Sequence, residues 1–297
     1  MNQGLWATAG SFFIWGLFPL YWRLLSAVPP TQIMAHRIVW CAALAGGFLT
    51  FSKGPMWWRA VTAQPRLLLM LCASSLMVGT NWWLYIWAVN AGHIVETSLG
   101  YFINPLVSVL LGVVVLGERL NPRQWLAVAV AATGVAYLTW SFGTLPWIAL
   151  TLAVSFGTYG LLRKMAVVPA VDGLAIESSL LLLPACVYLL LMESRGLGSF
   201  GHLSMETSML LVAGGAVTAL PLVLFAYGAR RIPLATVGFL QYIAPTLQLL
   251  LGVFVFHEAF TRRHLIGFGC IWAALGIYML DSLVRSQRTT VVASTNS

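Results

Sequence analysis

The stretch INPLVSVLLGVVVLGERLNPR (Ile103 to Arg123) decides the fold, because the chain carries IAPTLQLLLGVFVFHEAFTRR (Ile243 to Arg263) 140 residues later without a gap. Nine of the twenty-one positions are identical: Ile103/Ile243, Pro105/Pro245, Leu110/Leu250, Leu111/Leu251, Gly112/Gly252, Val113/Val253, Val115/Val255, Glu118/Glu258 and Arg123/Arg263. Chance readily matches Leu and Val in an apolar chain, but it rarely matches Pro, Gly, Glu and Arg in the same register. The pattern is an internal repeat.

Around this repeat the composition points to a membrane. Of 297 residues 60% are apolar and 8% charged, with a mean hydropathy of +0.87, more apolar surface than a soluble interior can absorb. Leu67 to Val95, Thr97 to Gly117, Gln124 to Leu162, Thr207 to Ala229 and Ile232 to His257 contain no Asp, Glu, Lys or Arg. Cutting at charged and Pro-marked breaks gives ten helices, near 4–25, 33–51, 67–89, 94–117, 123–140, 145–163, 172–192, 207–229, 233–256 and 264–282. Each fits a hydrocarbon layer of roughly 30 Å, and the absence of period-two alternation removes the β-barrel. The expected fold class is an all-α membrane protein: ten transmembrane helices forming a five-helix repeat at 4–140 and another at 145–282, with a disordered polar tail at 283–297.

Five is an odd number, so the second repeat enters the membrane from the opposite side to the first, giving an inverted-topology repeat. Two related halves can then exchange conformations and open a central site to one side and then the other. With the N-terminus cytoplasmic, Lys53, Arg59, Arg66, Arg119, Arg123, Arg163, Lys164, Arg230, Arg231, Arg285 and Arg288 lie inside. Arg195, Arg262 and Arg263 lie outside, with Arg23 at a helix end. This positive-inside bias places both termini in the cytoplasm. It also accounts for the net charge of +8 without a nucleic-acid surface, since no basic cluster with interleaved aromatics is present. Cys41, Cys72, Cys186 and Cys270 sit in apolar stretches without metal-ligand or disulfide spacing. No cofactor is implied. Met1 to Gln3 lack Lys and Arg and no small-residue cleavage site follows, so the first span is expected to remain in the mature protein.

At this point the sequence resembles the RarD subfamily of the EamA drug/metabolite transporters. The matching stretches are FFIWGLFPLYWRLL (Phe12 to Leu25), HRIVW (His36 to Trp40), NWWLYIWAVN (Asn81 to Asn90), ETSLGYFINPLVSVLLGVVVLGERL (Glu96 to Leu120) and FLQYIAPTLQLLLGVFVFHE (Phe239 to Glu258). The resemblance implies a ten-helix permease of the bacterial inner membrane with both termini inside. The subfamily name refers to chloramphenicol sensitivity and defines no transported substrate. Small multidrug members of the superfamily couple to protons through a glutamate in their first helix. Gly4 to Leu25 contains no acid, so that role does not transfer.

An ionisable group at bilayer depth costs roughly 2.5 to 3.5 kcal/mol on insertion scales and needs a partner, a watery cavity or a function. His36, Arg37, Glu96, Glu177 and Arg23 qualify. Arg37 and Glu177 occupy the same repeat position. One reading has one or both facing a central cavity, with Arg37 binding an anionic group and Glu177 balancing charge or binding a cation. The other is a charge pair that fixes packing. Glu96 starts the fourth span, where an acid suits the helix dipole. Pro105 frees a carbonyl near Tyr101 and permits a kink, so that Tyr101 and Asn104, with Gln241 and Tyr242 before Pro245, become candidate substrate contacts. Glu118 and Glu258 are expected to pair with nearby arginines or to cap locally. Trp82, Trp83, Tyr85 and Trp87 suit either an aromatic wall for a flat or cationic solute or interfacial anchoring. Ala127/Ala131 and Gly269/Ala273 place small residues four apart, for association between the halves or in a homodimer.

An enzyme is not expected. No GxSxG, HExxH or phosphate-binding Gly-rich loop is present, and Gly157-Thr158-Tyr159-Gly160 supplies no Ser/His pair. A non-transporting membrane sensor or scaffold is the alternative function, although loops of about a dozen residues leave little surface for partners. The favoured reading is a permease that moves a small metabolite or drug-like molecule by alternating access, with membrane lipid as its surroundings. Ion-driven export, through protonation of Glu96 or Glu177, and gradient-independent facilitation are both compatible with it.

Overall fold

The structure, a computed structural model, describes residues 2–91, 93–142, 146–255, 265–266, 269–278 and 280–281. The expected polar tail and Glu258, Arg262 and Arg263 lie outside the described residues. Those described are helical, with no strand among them. The elements are α1 (Asn2–Gly16), α2 (Phe18–Leu24), α3 (Pro30–Lys53), the short α4 (Arg59–Thr62), α5 (Pro65–Asn90), α6 (Ile94–Val114), α7 (Pro122–Phe142), α8 (Trp147–Met165), α9 (Ala170–Ser194), α10 (Met205–Ala229), α11 (Leu234–Gln241) and α12 (Ile243–Phe254). A further apolar helix, α13, spans Gly269–Tyr278.

The helix starts follow from local chemistry. Proline opens α3, α5 and α7 and immediately precedes α8, α9 and α11, because a first-turn residue has no helical acceptor for its N–H. At α7, Asn121 Oδ1 accepts from the Gln124 amide at 2.9 Å while Gln124 Oε1 accepts from the Asn121 amide at 3.0 Å, a reciprocal capping box. Among the described residues five segments have the length and composition to cross a membrane: α3, α5, α9, α10 and the combined α11–α12. At a rise of 1.5 Å per residue, 21 to 26 residues reach about 31 to 39 Å. Large side chains such as Phe51 (95% exposed), Leu183 and Trp140 lie on the outer surface, where lipid rather than water is their natural solvent.

The breaks differ from the sequence expectation. The first apolar segment is two helices, interrupted at Leu17 ahead of Pro19. Helix α6 continues through Pro105, so the kink expected there does not interrupt it. The interruption falls at the corresponding place in the second repeat, at Tyr242, between α11 and α12. Tyr242, at the C-cap of α11, keeps φ −65° and ψ −14°, so the chain turns there with little change of backbone conformation.

Helices 140 residues apart pack against each other in opposite directions. Along α3 and α9, Thr31 meets Tyr188 (hydroxyl oxygens 2.6 Å apart), Cys41 meets Ser178 (3.4 Å) and Lys53 meets Asp172 (2.6 Å). Along α6 and α11, Glu118 accepts from the Ala235 amide at 2.9 Å, Gln241 Nε2 donates to Ser108 Oγ at 2.9 Å and Tyr242 donates to the Phe102 carbonyl at 3.4 Å. The remaining pairings are reciprocal: α10 packs on α3 as α5 packs on α9, α10 on α1 as α5 on α8, and α6 on α8 as α11 and α12 on α1. Ala127 and Ala131 are buried in one cluster with Ile271, Ala274 and Tyr278 of α13, so contacts within the chain account for that small-residue pair.

The α6–α11 crossing depends on Gly238, where a Cβ would lie 2.6 Å from the Pro105 carbonyl oxygen and 3.0 Å from Val109 Cγ2. Gly238→Ala should therefore lower stability by about 1 to 3 kcal/mol in an SDS-unfolding titration. Gly269→Ala, whose Cβ meets nothing within 4 Å, should stay within about 0.5 kcal/mol of the parent.

Candidate functional site

A cavity of about 200 Å³ lies between the helices, lined from α1, α2, α3, α5, α6, α8, α10, α11 and α12. Its polar groups sit on two walls. On the α3–α10 wall Arg37, seven residues into α3, donates from Nε to Thr218 Oγ1 at 2.8 Å. Its side chain lies over Gly214 of α10, with Cγ 3.6 Å from where a Cβ would be. The guanidinium carbon is 4.7 Å from the Trp22 ring centroid, 5.1 Å from Trp82 and 5.8 Å from Phe18. Apolar faces with a negative quadrupole thus hold this cation in an otherwise apolar region. Among the described residues no carboxylate lies within ion-pair distance of it.

On the α6–α11 wall Asn104 and Gln241 face the cavity. Gln241, 5% exposed, spends its Nε2 on Ser108 one helical turn beyond Asn104; among the described residues Gln241 Oε1 and Asn104 Oδ1 are buried without hydrogen-bond partners. Tyr85 and Tyr101, whose rings are 6.0 Å apart, continue the lining. Asn81 spends its amide on the Leu152 carbonyl (2.8 Å) and Ser155 Oγ (2.9 Å). Gln248 reaches the Trp15 carbonyl at 3.3 Å.

The structure therefore brings Arg37, Tyr101, Asn104 and Gln241 to one cavity and does not bring Glu177 or Tyr242 there. Tyr242 is 1% exposed and packs with Phe102, Ile103 and Ile271, because consecutive residues of a helical backbone point about 100° apart and this step turns it away from Gln241. Glu177 is buried elsewhere, beside Ser74 and 3.5 Å from Arg163, with its backbone carbonyl accepting from Ser75 at 3.0 Å. Arg163 is itself 1% exposed, which corrects its reading as a loop charge. Its side chain reaches across to α9, where it donates to the Ala170 carbonyl at 3.1 Å and lies beside Glu177. The Glu96 backbone lies in α6, and its side chain lies outside the described residues. Sequence reasoning missed Trp15, Phe156 and Gln248 in the lining and Thr218, the partner of Arg37. Thr218 and Gln248 carry a signal, being isolated polar residues in apolar runs.

The helix ends away from the cavity are held together by charges. Gly117 adopts φ +65°, a left-handed turn that sends the Glu118 amide back to the Gly112 carbonyl at 3.0 Å. The Glu118 carboxylate then crosses to the start of α11, accepting from the amides of Leu234 (2.6 Å) and Ala235 (2.9 Å), with Lys164 Nζ 3.6 Å away. This is capping, as expected for Glu118, but of a helix in the other repeat instead of its own loop. Lys164 also donates to the Ala229 carbonyl at 3.2 Å. Lys53 and Asp172 pair at 2.6 Å at this same end.

A model of the EamA-like transporter family matches residues 2–140 and 145–280. An uncharacterized transporter of Pseudomonas aeruginosa is 47% identical over 272 residues, covering 92% of this chain and 91% of that protein. The protein RarD of Escherichia coli is 41% identical over 289 residues, covering 97% and 98%. A crystal structure of a protein 21% identical superposes with a TM-score of 0.71 over 93% of this chain and 97% of that one, a likeness of fold.

Glu118→Ala removes the cap from two amides and the carboxylate from Lys164, and should lower stability by about 1 to 2 kcal/mol. Hydrogen exchange should quicken at the start of α11 and stay unchanged at α7, whose own capping box is untouched.

Proposed function

Because the chain belongs to the EamA-like transporter family, and within it to the RarD subfamily, we propose that it is a bacterial inner-membrane permease that moves a small metabolite or drug-like solute by alternating access. In this reading ten spans form two inverted five-helix repeats, both termini are cytoplasmic, and Arg37, Tyr101, Asn104 and Gln241 contact the solute. The observation that carries the reading is the antiparallel packing of helices 140 residues apart around one cavity. A pair of related units in reciprocal contact has two equivalent ways to pack, and exchange between them moves the opening from one side to the other.

The placement of charge supports the same mechanism. The cavity-lining residues of α2, α3, α5 and α6 lie toward the ends of those helices near residues 25–30 and 90–94. The Glu118, Lys164, Lys53 and Asp172 contacts lie at the opposite ends. Positive-inside bias assigns those ionic contacts to the cytoplasmic side, so the arrangement is one in which the inner end is closed. Opening it requires Glu118 to leave the α11 N-terminus and Lys164, contacts that are partly solvated and individually modest. The Arg163–Glu177 pair is fully buried, and removing one partner leaves an uncompensated charge. It belongs to the rigid part of the second repeat.

Two measurements test this. Reporter fusions at Gly54 and Ser194, which are 140 residues apart, should report opposite faces of the membrane; the same face would remove the inversion. In proteoliposomes screened with radiolabelled amino acids, metabolites and chloramphenicol, with and without a pH gradient, the protein should move at least one solute. Arg37→Gln should reduce that flux at least tenfold, and Gln241→Leu should change the order of preference among solutes. Flux equal to protein-free liposomes throughout would overturn the permease.

A further inference from the structure

Resting on the reading of the cavity as the solute site, we propose that its ligand is a flat organic monoacid: a carboxylate held by the terminal nitrogens of Arg37, a planar body between the aromatic walls, and a hydrogen-bond donor held by Asn104 Oδ1 and Gln241 Oε1.

The sign of the charge follows from what already occupies the aromatic faces. Trp22 and Trp82 resemble a cage for a cation, but the Arg37 guanidinium sits over both, at 4.7 and 5.1 Å. A cationic solute would have to displace a covalently tethered cation and meet its charge at close range. An anion meets the opposite situation. Among the described residues Arg37 is engaged through Nε, by Thr218, and its terminal nitrogens are placed to take a bidentate carboxylate. Among the described cavity-lining residues Arg37 is the single charged side chain, so a monoanion is balanced and a phosphate dianion is not.

The opposite wall specifies the rest. Two buried amide oxygens without donors among the described residues are costly as they stand; neither has surface open to the cavity in this state, and rotation of the Asn104 and Gln241 side chains, which line it, lets two ligand N–H groups relieve both. A site of this kind rejects an isostere that lacks the donor far better than an apolar pocket rejects an extra methylene. Between the walls, Trp15, Tyr85, Tyr101 and Phe156 present ring surface, against which a planar body packs with little loss of rotamer freedom. A cavity of about 200 Å³ limits the ligand to a single-ring compound or one of similar bulk.

The probe set is 4-aminobenzoate, which carries both groups, benzoate, which lacks the donor, and aniline, which lacks the acid. Binding of radiolabelled 4-aminobenzoate to the full-length protein in nanodiscs, with the other two as competitors, should rank 4-aminobenzoate first. Benzoate should be about three- to tenfold weaker and aniline at least about tenfold weaker. Arg37→Gln should abolish the preference for 4-aminobenzoate over aniline. Asn104→Leu should abolish the preference over benzoate while keeping that over aniline, so the two halves of the assignment are read in separate variants, each checked for a monodisperse helical protein. Aniline binding as tightly as 4-aminobenzoate, an acid preference that survives Arg37→Gln, or no binding of any probe at millimolar concentration would overturn the ligand class. Arg37-dependent binding of 4-aminobenzoate by a protein that moves no solute in liposomes would sink the permease and leave the site. Transport of amines or chloramphenicol without binding of acids would do the reverse.

Discussion

The crossing of α6 with α11 is the contact on which the rest of the architecture depends. At one end Glu118 satisfies two amides that the helix start leaves without acceptors. In the middle Gly238 lets the backbone approach the Pro105 carbonyl. At the far end Ser108 takes the Gln241 amide. These contacts set the register of one repeat against the other, and because they lie on one line they also set which residues reach the cavity. In an apolar medium burial of hydrocarbon gives helices little reason to associate, so close backbone approach and polar contacts of this kind supply the specificity.

Arg37 and Glu177 show how one repeat position acquires two roles. Both stand seven residues past the helix starts that Pro30 and Ala170 define, and both belong to the α3–α9 pair. Glu177 has Arg163 and two serines around it and is closed off from the cavity. Arg37 has Thr218 and three ring faces and opens onto it. The difference comes from their neighbours. Where α5 offers Ser74 and Ser75 to Glu177, the matching positions of α10 are Gly214 and Gly215, which give Arg37 room to lie along the helix and reach Thr218 one turn further on.

The repeat, the helix starts and the medium were legible in the sequence because proline, glycine and charge are rare in an apolar chain and each has a definite backbone or solvation consequence. Arg37 was legible for the same reason. Which face of each helix turns inward was not. A helix that meets lipid on one side and apolar side chains on the other is hydrophobic all round, so periodicity does not mark its buried face. Hence Gln241 and its neighbour Tyr242 looked alike, and Trp15 and Phe156 were invisible among other aromatics. The step of about 100° between helical neighbours separates the two. The reach of Glu118 to Leu234 and Lys164 was hidden because the sequence supplies nearer arginines, Arg119 and Arg123, and only the fold brings the α11 amides to the carboxylate as donors.

The two halves share several backbone-shaping positions and differ at the polar positions in and around the cavity. Pro105/Pro245, Gly112/Gly252 and Leu110/Leu250 repeat faithfully, while Tyr101/Gln241, Asn104/Ala244, Thr218/Val78 and Arg37/Glu177 do not. Alternating access asks for this division. Interconverting states of similar free energy need two halves whose packing surfaces are near copies. Recognition of a solute with distinguishable ends needs walls that are chemically unlike. A gene-duplicated scaffold satisfies the first requirement by default, and divergence at a few polar positions, Arg37 and Gln241 among them, satisfies the second. The polar residues that line the cavity are among the positions where the repeat fails, which is why an unmatched arginine and the side chains of Asn104 and Gln241 meet around the same space.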